Sequence, residues 1–208
     1  MKRASSLVVG IDVGGERKGF HAVALRGGTF AATLASSDPA EIVSWCRQMK
    51  AAVVAVDAPC GWSDGAASRL AERCLAIGPN KIHCCATPTR ARANKSSFYK
   101  WVFNGERLYR QLAKHYVLFD GSRRAGPACF ETFPHAVVCA LAGRVVPARP
   151  NRETRRAALR KLGYDVSSLT NVDFVDAALC AITAAAFARG SYRLFGETNE
   201  GFIVVPVG

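Results

Sequence analysis

Residues 7–15, LVVGIDVGG, constrain this chain more than any other stretch. Leu7, Val8, Val9 and Ile11 make a short apolar run closed by a glycine-rich turn, the pattern of a strand buried on both faces. Asp12 sits inside that run. A carboxylate in a central strand carries a large desolvation cost unless a cation meets it. Gly14 and Gly15 beside it allow a ligand or another backbone to come close. The structural alternative is an Asp that caps a turn at the strand end.

The following segments build an α/β protein around that strand. Gly27-Gly28 divides 18–25 from 29–34 and predicts a hairpin. Asp38-Pro39-Ala40-Glu41 reads as a capping box, and Ile42, Trp45, Cys46 and Met49 continue it as one apolar helical face. Residues 51–56, AAVVAV, form a second buried strand that ends at Asp57. Strand, helix, buried strand implies a parallel crossover. Asp12 and Asp57 then face one crevice at the carboxyl ends of neighbouring strands, roughly 4.8 Å apart. Two like charges so close repel unless a divalent cation bridges them or one stays protonated.

Helices are expected over 66–77, over most of 96–116 with a break near Gly105, and over 136–142, 151–162 and 172–188. A basic excursion, 78–95, covers the crevice mouth, and 144–149 is a loop. The aromatic and basic residues of 96–116 either stack on nucleic acid or pack inward from an amphipathic helix. A short strand, 128–132, carries Glu131, and Gly201–Pro206 is a final edge strand or a strap. The helix over 172–188 is apolar nearly all round, hence buried, yet carries Asp173 and Asp176 on one face. Capping and the helix dipole account for Asp173 better than for Asp176.

Charge and cysteine content narrow the function. Lys and Arg total 28 against 16 acids, a net +12, which favours polyanionic partners. The eight cysteines show no CxxC pair, so a reduced, cytoplasmic setting is expected. No apolar run reaches the roughly 18–20 residues of a membrane span, and MKRASS does not read as a secretory signal. Asp12, Asp57, Glu131, and Asp173 with Asp176 are thus candidate catalytic acids on four separate elements. Oxygen-only ligands suit one or two Mg²⁺ or Mn²⁺ ions.

GIDVGG, VAVDAP with Asp57, ETFPHAVVCALAG with Glu131, DFVDAALCAITA with Asp173 and Asp176, and the terminal EGFIVVP together resemble the DUF429 family. That family is described as a predicted nuclease with a ribonuclease-H-like fold. The resemblance implies a mixed five-stranded sheet, three antiparallel strands then two parallel ones, with helices on both faces. It also implies one domain over 1–208 with a basic insertion around 78–125. The late DxxDA arrangement is similar to that of Holliday-junction resolvases. The implied activity is metal-dependent hydrolysis of DNA or RNA, with Asp12, Asp57, Asp173 and Asp176 as metal ligands. Glu131 either completes the site or anchors its strand, and His135 departs from the acidic or small residue expected after Pro134. Contacts to nucleic acid then fall to Arg17, Lys18, Arg90, Arg92, Arg155 and Arg156, and a dimer is left open. GIDVGG also resembles the phosphate loop of actin-like and sugar-kinase folds, so a nucleotide-binding ATPase is the alternative enzyme. A nucleic-acid-binding module without chemistry is the third reading.

Overall fold

The computed structural model describes residues 6–76, 81–122, 125–149 and 151–208. The end of the first-half helix at Ile77, the start of the basic excursion at Gly78 and the Arg123-Arg124 pair lie outside the described residues.

β1 (Val8–Val13) is buried along its whole length. β2 (Phe20–Arg26) returns antiparallel to it, and β3 (Thr29–Ser36) follows across the Gly27-Gly28 turn. Both glycines take positive φ, 57° and 87°, which a tight hairpin turn of this hand requires. α1 (Pro39–Gln48) starts where the Asp38 carboxylate accepts the Ala40 N–H. Glu41 does not close the expected box on Asp38. It accepts from the Ser36 hydroxyl, whose oxygen takes the Asp38 N–H instead. β4 (Val53–Asp57) then runs parallel to β1, as the crossover required.

The middle of the chain carries α2 (Leu70–Ala76), α3 (Arg90–Ala93), a single 3₁₀ turn at Ser97–Tyr99, α4 (Lys100–Leu112), and two short strands, β5 (Val117–Leu118) and β6 (Ala128–Glu131). Gly105 does not break α4. A Cβ there would lie 2.7 Å from the Ala58 side chain, so the glycine lets the helix cross the end of β4 closely. The aromatics of α4 turn inward: Trp101 and Tyr109 pack against the core, and the Tyr109 hydroxyl donates to the Ala58 carbonyl at 3.2 Å. The chain closes with α5 (Pro134–Ala142), α6 (Asn151–Lys161), α7 (Val172–Arg189), β7 (Tyr192–Glu197) and β8 (Gly201–Pro206).

Among the described residues all eight strands join one mixed sheet, ordered β3-β2-β1-β4-β6-β8-β7, with β5 also paired to β6. The arrangement implied by the resemblance is present as β3-β2-β1-β4-β6, but five strands are not the whole sheet. Gly201–Pro206 is neither an edge nor a strap. It is an interior strand, parallel to β6 and antiparallel to β7, which forms the real edge. β7 had no sequence forecast because it is partly or fully exposed throughout and Arg193 and Glu197 obscure its alternation.

The two faces of the sheet bury two separate cores. Val8 of β1 and Val53 and Ala55 of β4 pack with α5, α6 and α7. Val9, Ile11 and Val13 of β1 and Val54 and Val56 of β4 pack with α1 and α4. Strand alternation therefore decides which helices any side chain of the central strands can meet.

Candidate metal centre

Alternation places Asp12 on the face of Val8 and Gly10, and Asp57 on the face of Val53 and Ala55. Both carboxylates thus point toward the α7 side. They are also direct register partners across the parallel β1–β4 pair. Gly10 explains how α7 comes near enough to join them: a Cβ at that position would sit 2.0 Å from the Ala177 carbonyl oxygen and 2.1 Å from the Ala181 nitrogen. Backbone thus rests on backbone at Gly10; the close approach expected at Gly14-Gly15 is present at Gly14, where a Cβ would lie 2.7 Å from the Lys18 Cβ and 3.2 Å from the Gly19 carbonyl oxygen. Around Gly15 the corresponding space is open.

α7 begins at Asn171, whose side chain accepts the Phe174 N–H at 2.9 Å. Asp173 and Asp176 follow within its first turns, three residues apart and both buried. Ligand atoms of Asp12, Asp57 and Asp176 all lie within 4.8 Å of one another. Three elements far apart in sequence deliver them: the first strand, the fourth strand and the last helix.

Two cations border the cluster. The Lys18 Nζ donates to Asp173 Oδ1 at 2.6 Å, and the Arg155 Nη1 donates to Asp176 Oδ2. Among the described residues neither Asp12 nor Asp57 is in a salt bridge, and Asp176 Oδ1 is buried without a hydrogen-bond partner. With every group ionised, these four aspartates and two cations keep two formal negative charges. The protonation equilibria answer to that excess. Burial, then the charges of Asp176 and Asp173, push Asp12 well above the usual carboxylate range. Burial, then Asp12 and Asp176, do the same to Asp57. Burial raises Asp176 to about 6 against the opposing pull of Arg155. The hydrogen bond that Lys18 donates to Asp173 is the main cause that raises Lys18.

The donor set fits a divalent cation. Three carboxylates supply hard oxygen ligands, their combined charge exceeds that of the neighbouring cations, and one buried Asp176 oxygen lacks a partner. These buried acids can hold such an ion.

Glu131 is not among them. On β6, Phe130 packs with the α7 core and Cys129 with the α1–α4 core, so Glu131 faces away from α7. There the wholly buried Arg69 forks onto it, Nη2 to Oε1 at 2.6 Å and Nη1 to Oε2 at 2.7 Å. The Cys60 N–H also donates to Oε2. Arg69 Nε reaches Glu72 at 2.9 Å, and Arg69 Nη1 points at the Glu200 carbonyl. Glu200 in turn takes the N–H groups of Asp64 and Leu70 through its carboxylate. Of the two roles open to Glu131, the geometry is that of the anchor.

The basic residues divide in the same way. Arg17 and Lys18 are exposed in the turn after β1, beside the carboxylates. Arg155 is mostly buried against Asp176. Arg156 donates to the Val166 carbonyl and braces the loop before α7. Arg90 is exposed, paired with Glu106 and stacked over Phe103, and Arg92 is exposed on α3. His135 is buried beside Cys139, on α5 rather than in the cluster. Neither of two larger cavities, about 280 Å³ beside β5 and about 560 Å³ beside α5 and the C-terminus, includes any of the four aspartates.

Two important residues were not foreseen. Arg69 carried no signal, because an arginine at a helix start ordinarily reads as solvated. His21 is the register partner of Asp12 across the β1–β2 hairpin and so shares its face, a relation that only the folded register supplies. Burial holds its imidazole below its ordinary pKa.

All eight cysteines are free thiols. No helix among the described residues is long and apolar enough to cross a membrane. Comparison with curated proteins and with solved structures gives no match. A family model does match, over residues 10–200, a span that takes in β1 with Asp12, β4 with Asp57 and α7 with Asp173 and Asp176, and the chain therefore belongs to DUF429, described as a protein of unknown function.

Proposed function

We infer that the protein is a divalent-metal-dependent nuclease that hydrolyses phosphodiester bonds of DNA or RNA. The observation that carries this reading is the convergence of Asp12, Asp57 and Asp176 within 4.8 Å, with one Asp176 oxygen unpartnered. Buried carboxylates in this number are costly for a fold to keep without a function for their charge.

Asp12, Asp57 and Asp176 hold the ion in this reading, with Asp173 beside them. When bound, Mg²⁺ or Mn²⁺ supplies a more acidic water and charge stabilisation at a phosphoryl oxygen. The remaining work falls to the chain itself. β1 and β4 fix two carboxylates at one register level, and Gly10 lets α7 bring the third to the same depth. Lys18 and Arg155, already against the carboxylates, contact the phosphate that enters, and Arg17 extends the positive rim. Arg90, Arg92 and the exposed Arg160 of α6 follow the nucleic-acid backbone farther out. The net charge of +12 favours such a partner.

Cleavage of structured DNA and RNA by the purified chain, with Mn²⁺, with Mg²⁺ and with EDTA, tests the reading. Metal-dependent cleavage that Asp12→Asn abolishes is expected. Equal cleavage by Asp12→Asn overturns it. A rise in melting temperature with ATP and no cleavage of either nucleic acid would favour the ATPase alternative.

A further inference from the structure

Asp57, Asp12 and His21 stand in one row across three adjacent strands, β4, β1 and β2, each the register partner of the next. The first turns of α7 lie over that row and contribute Asp173 and Asp176. Two ligand groups result, both containing Asp12. Asp57 and Asp176 complete one; His21 and Asp173 complete the other, again with ligand atoms within 4.8 Å of one another.

We propose that Asp12, His21 and Asp173 form a second cation position, one that prefers a nitrogen-accepting transition ion such as Mn²⁺, Co²⁺ or Zn²⁺ over Mg²⁺. The proposal rests on the carboxylate centre described above, since the two positions share Asp12.

His21 is the independent observation. It is only 8% exposed, and its Nδ1 is buried with no hydrogen-bond partner. Its Nε2 lies 4.0 Å from Asp173 Oδ2, too far for a hydrogen bond. Neither ring nitrogen is thus satisfied among the described residues, which is rare for a buried imidazole without a reason. An ion bonded to both atoms at roughly 2.0–2.2 Å spans about 3.4 Å at the tetrahedral angle, so the two side chains would close on it by about half an ångström. The ring is held in place by Phe174, edge-on at a centroid distance of 4.9 Å. An imidazole among carboxylates changes which metal is preferred. Mg²⁺ favours oxygen donors, whereas first-row transition ions take nitrogen readily.

Lys18 occupies part of this position through Asp173 Oδ1. Its side chain is 56% exposed, so it can swing into solvent when an ion arrives. The row also sets the separation between positions. Neighbouring strands are roughly 4.8 Å apart, close to the roughly 3.5–4 Å between the ions of two-metal hydrolases.

The test is equilibrium dialysis of the full chain against Mn²⁺ and, separately, Mg²⁺, with the bound ions counted per chain. The wild type is expected to bind two Mn²⁺ ions. His21→Gln should retain one and bind the other more weakly by more than the roughly 10–100-fold that loss of an outer-shell partner costs. Mg²⁺ binding should change little in this variant. Lys18→Ala removes a competing cation and should bind the second Mn²⁺ more tightly, a gain that misfolding cannot produce. Two Mn²⁺ ions held by His21→Gln with wild-type affinity, or a single Mn²⁺ in the wild type that Asp57→Asn removes and His21→Gln does not, overturn the second position and leave the first standing. No Mn²⁺ or Mg²⁺ on the wild type overturns both.

Discussion

Asp12 and Asp57 are register partners on parallel strands, neither in a salt bridge among the described residues, and both face the start of α7. Nothing in the packing of an α/β sheet demands that pair. Replacing Asp12 with Asn keeps the shape of the side chain and removes one of the repelling buried charges. Cation-free Asp12→Asn is expected to be more stable than wild type by about 1–2 kcal/mol in urea unfolding. The wild type is expected to melt higher with Mn²⁺, and Asp12→Asn should lose that rise. Lower stability together with an undiminished Mn²⁺ response would contradict the assignment of Asp12.

The pH dependence has a definite sign. Burial raises Asp12, Asp57 and Asp176 above the usual carboxylate range, Asp176 to about 6. A carboxyl with a raised pKa in the folded state holds its proton more tightly there than in the unfolded chain. Its contribution therefore declines as pH rises above the unfolded value and levels off above the folded one. From Asp176 alone, cation-free stability should fall by on the order of 3 kcal/mol between about pH 4 and somewhat above pH 6. Asp12 and Asp57 deepen that fall. Saturating Mn²⁺ should flatten it at the upper end. Urea midpoints measured with EDTA and with Mn²⁺ across this range check both statements, and a cation-free midpoint that climbs with pH would refute them.

Gly10→Ala tests whether the seat of α7 is as tight as the geometry requires. The added methyl would meet the helix backbone at 2.0 Å, where no rotamer change can relieve it. A loss of about 3 kcal/mol or more is expected, the upper part of the range for overpacked cores. Gly15→Ala has open space around it and should stay within about 0.5 kcal/mol of wild type. Comparable losses in the two variants would show that backbone conformation, not contact with α7, governs this stretch.

The anchoring role of Glu131 has its own signature. Arg69→Met leaves Glu131 and Glu72 buried without their cation and is expected to cost about 3–5 kcal/mol. Arg69→Met combined with Glu131→Leu should recover part of that loss. Glu131→Gln should leave Mn²⁺ affinity within about twofold of wild type, because its carboxylate lies on the other face of the sheet. A large loss of Mn²⁺ binding in a folded Glu131→Gln chain would return Glu131 to the metal site.

Asp12 and Asp57 could be read from the sequence because each lies at or next to the end of a short apolar strand and a helix separates them. That combination sets parallel neighbours, and the pleat sets a common face. Asp176 was legible as a charge that an alanine-rich helix had no packing reason to keep. His21 was harder. Its relation to Asp12 depends on the register of a hairpin whose turn runs through Gly14–Gly19, where Gly14 N–H donates to the Gly19 carbonyl and Gly19 N–H to that of Gly15. Only the folded turn determines which residue lies opposite Asp12. Glu131 misled because a lone acid in an apolar strand looks the same from either face. Counting alternation from Phe130 assigns the face only once it is known that Phe130 packs under α7.

The clasp around Arg69 has a further consequence for how the protein is made. Its partners come from Glu72, Glu131 and the carbonyl of Glu200, and Glu200 also secures the backbone at Asp64 and Leu70. A nascent chain therefore exposes the guanidinium well before the turn that covers it has left the ribosome. A chain that stops before Glu200 would leave Arg69 Nη1 short of an acceptor and the N–H groups of Asp64 and Leu70 without their carboxylate, so the interior around the guanidinium closes only when the last hairpin docks.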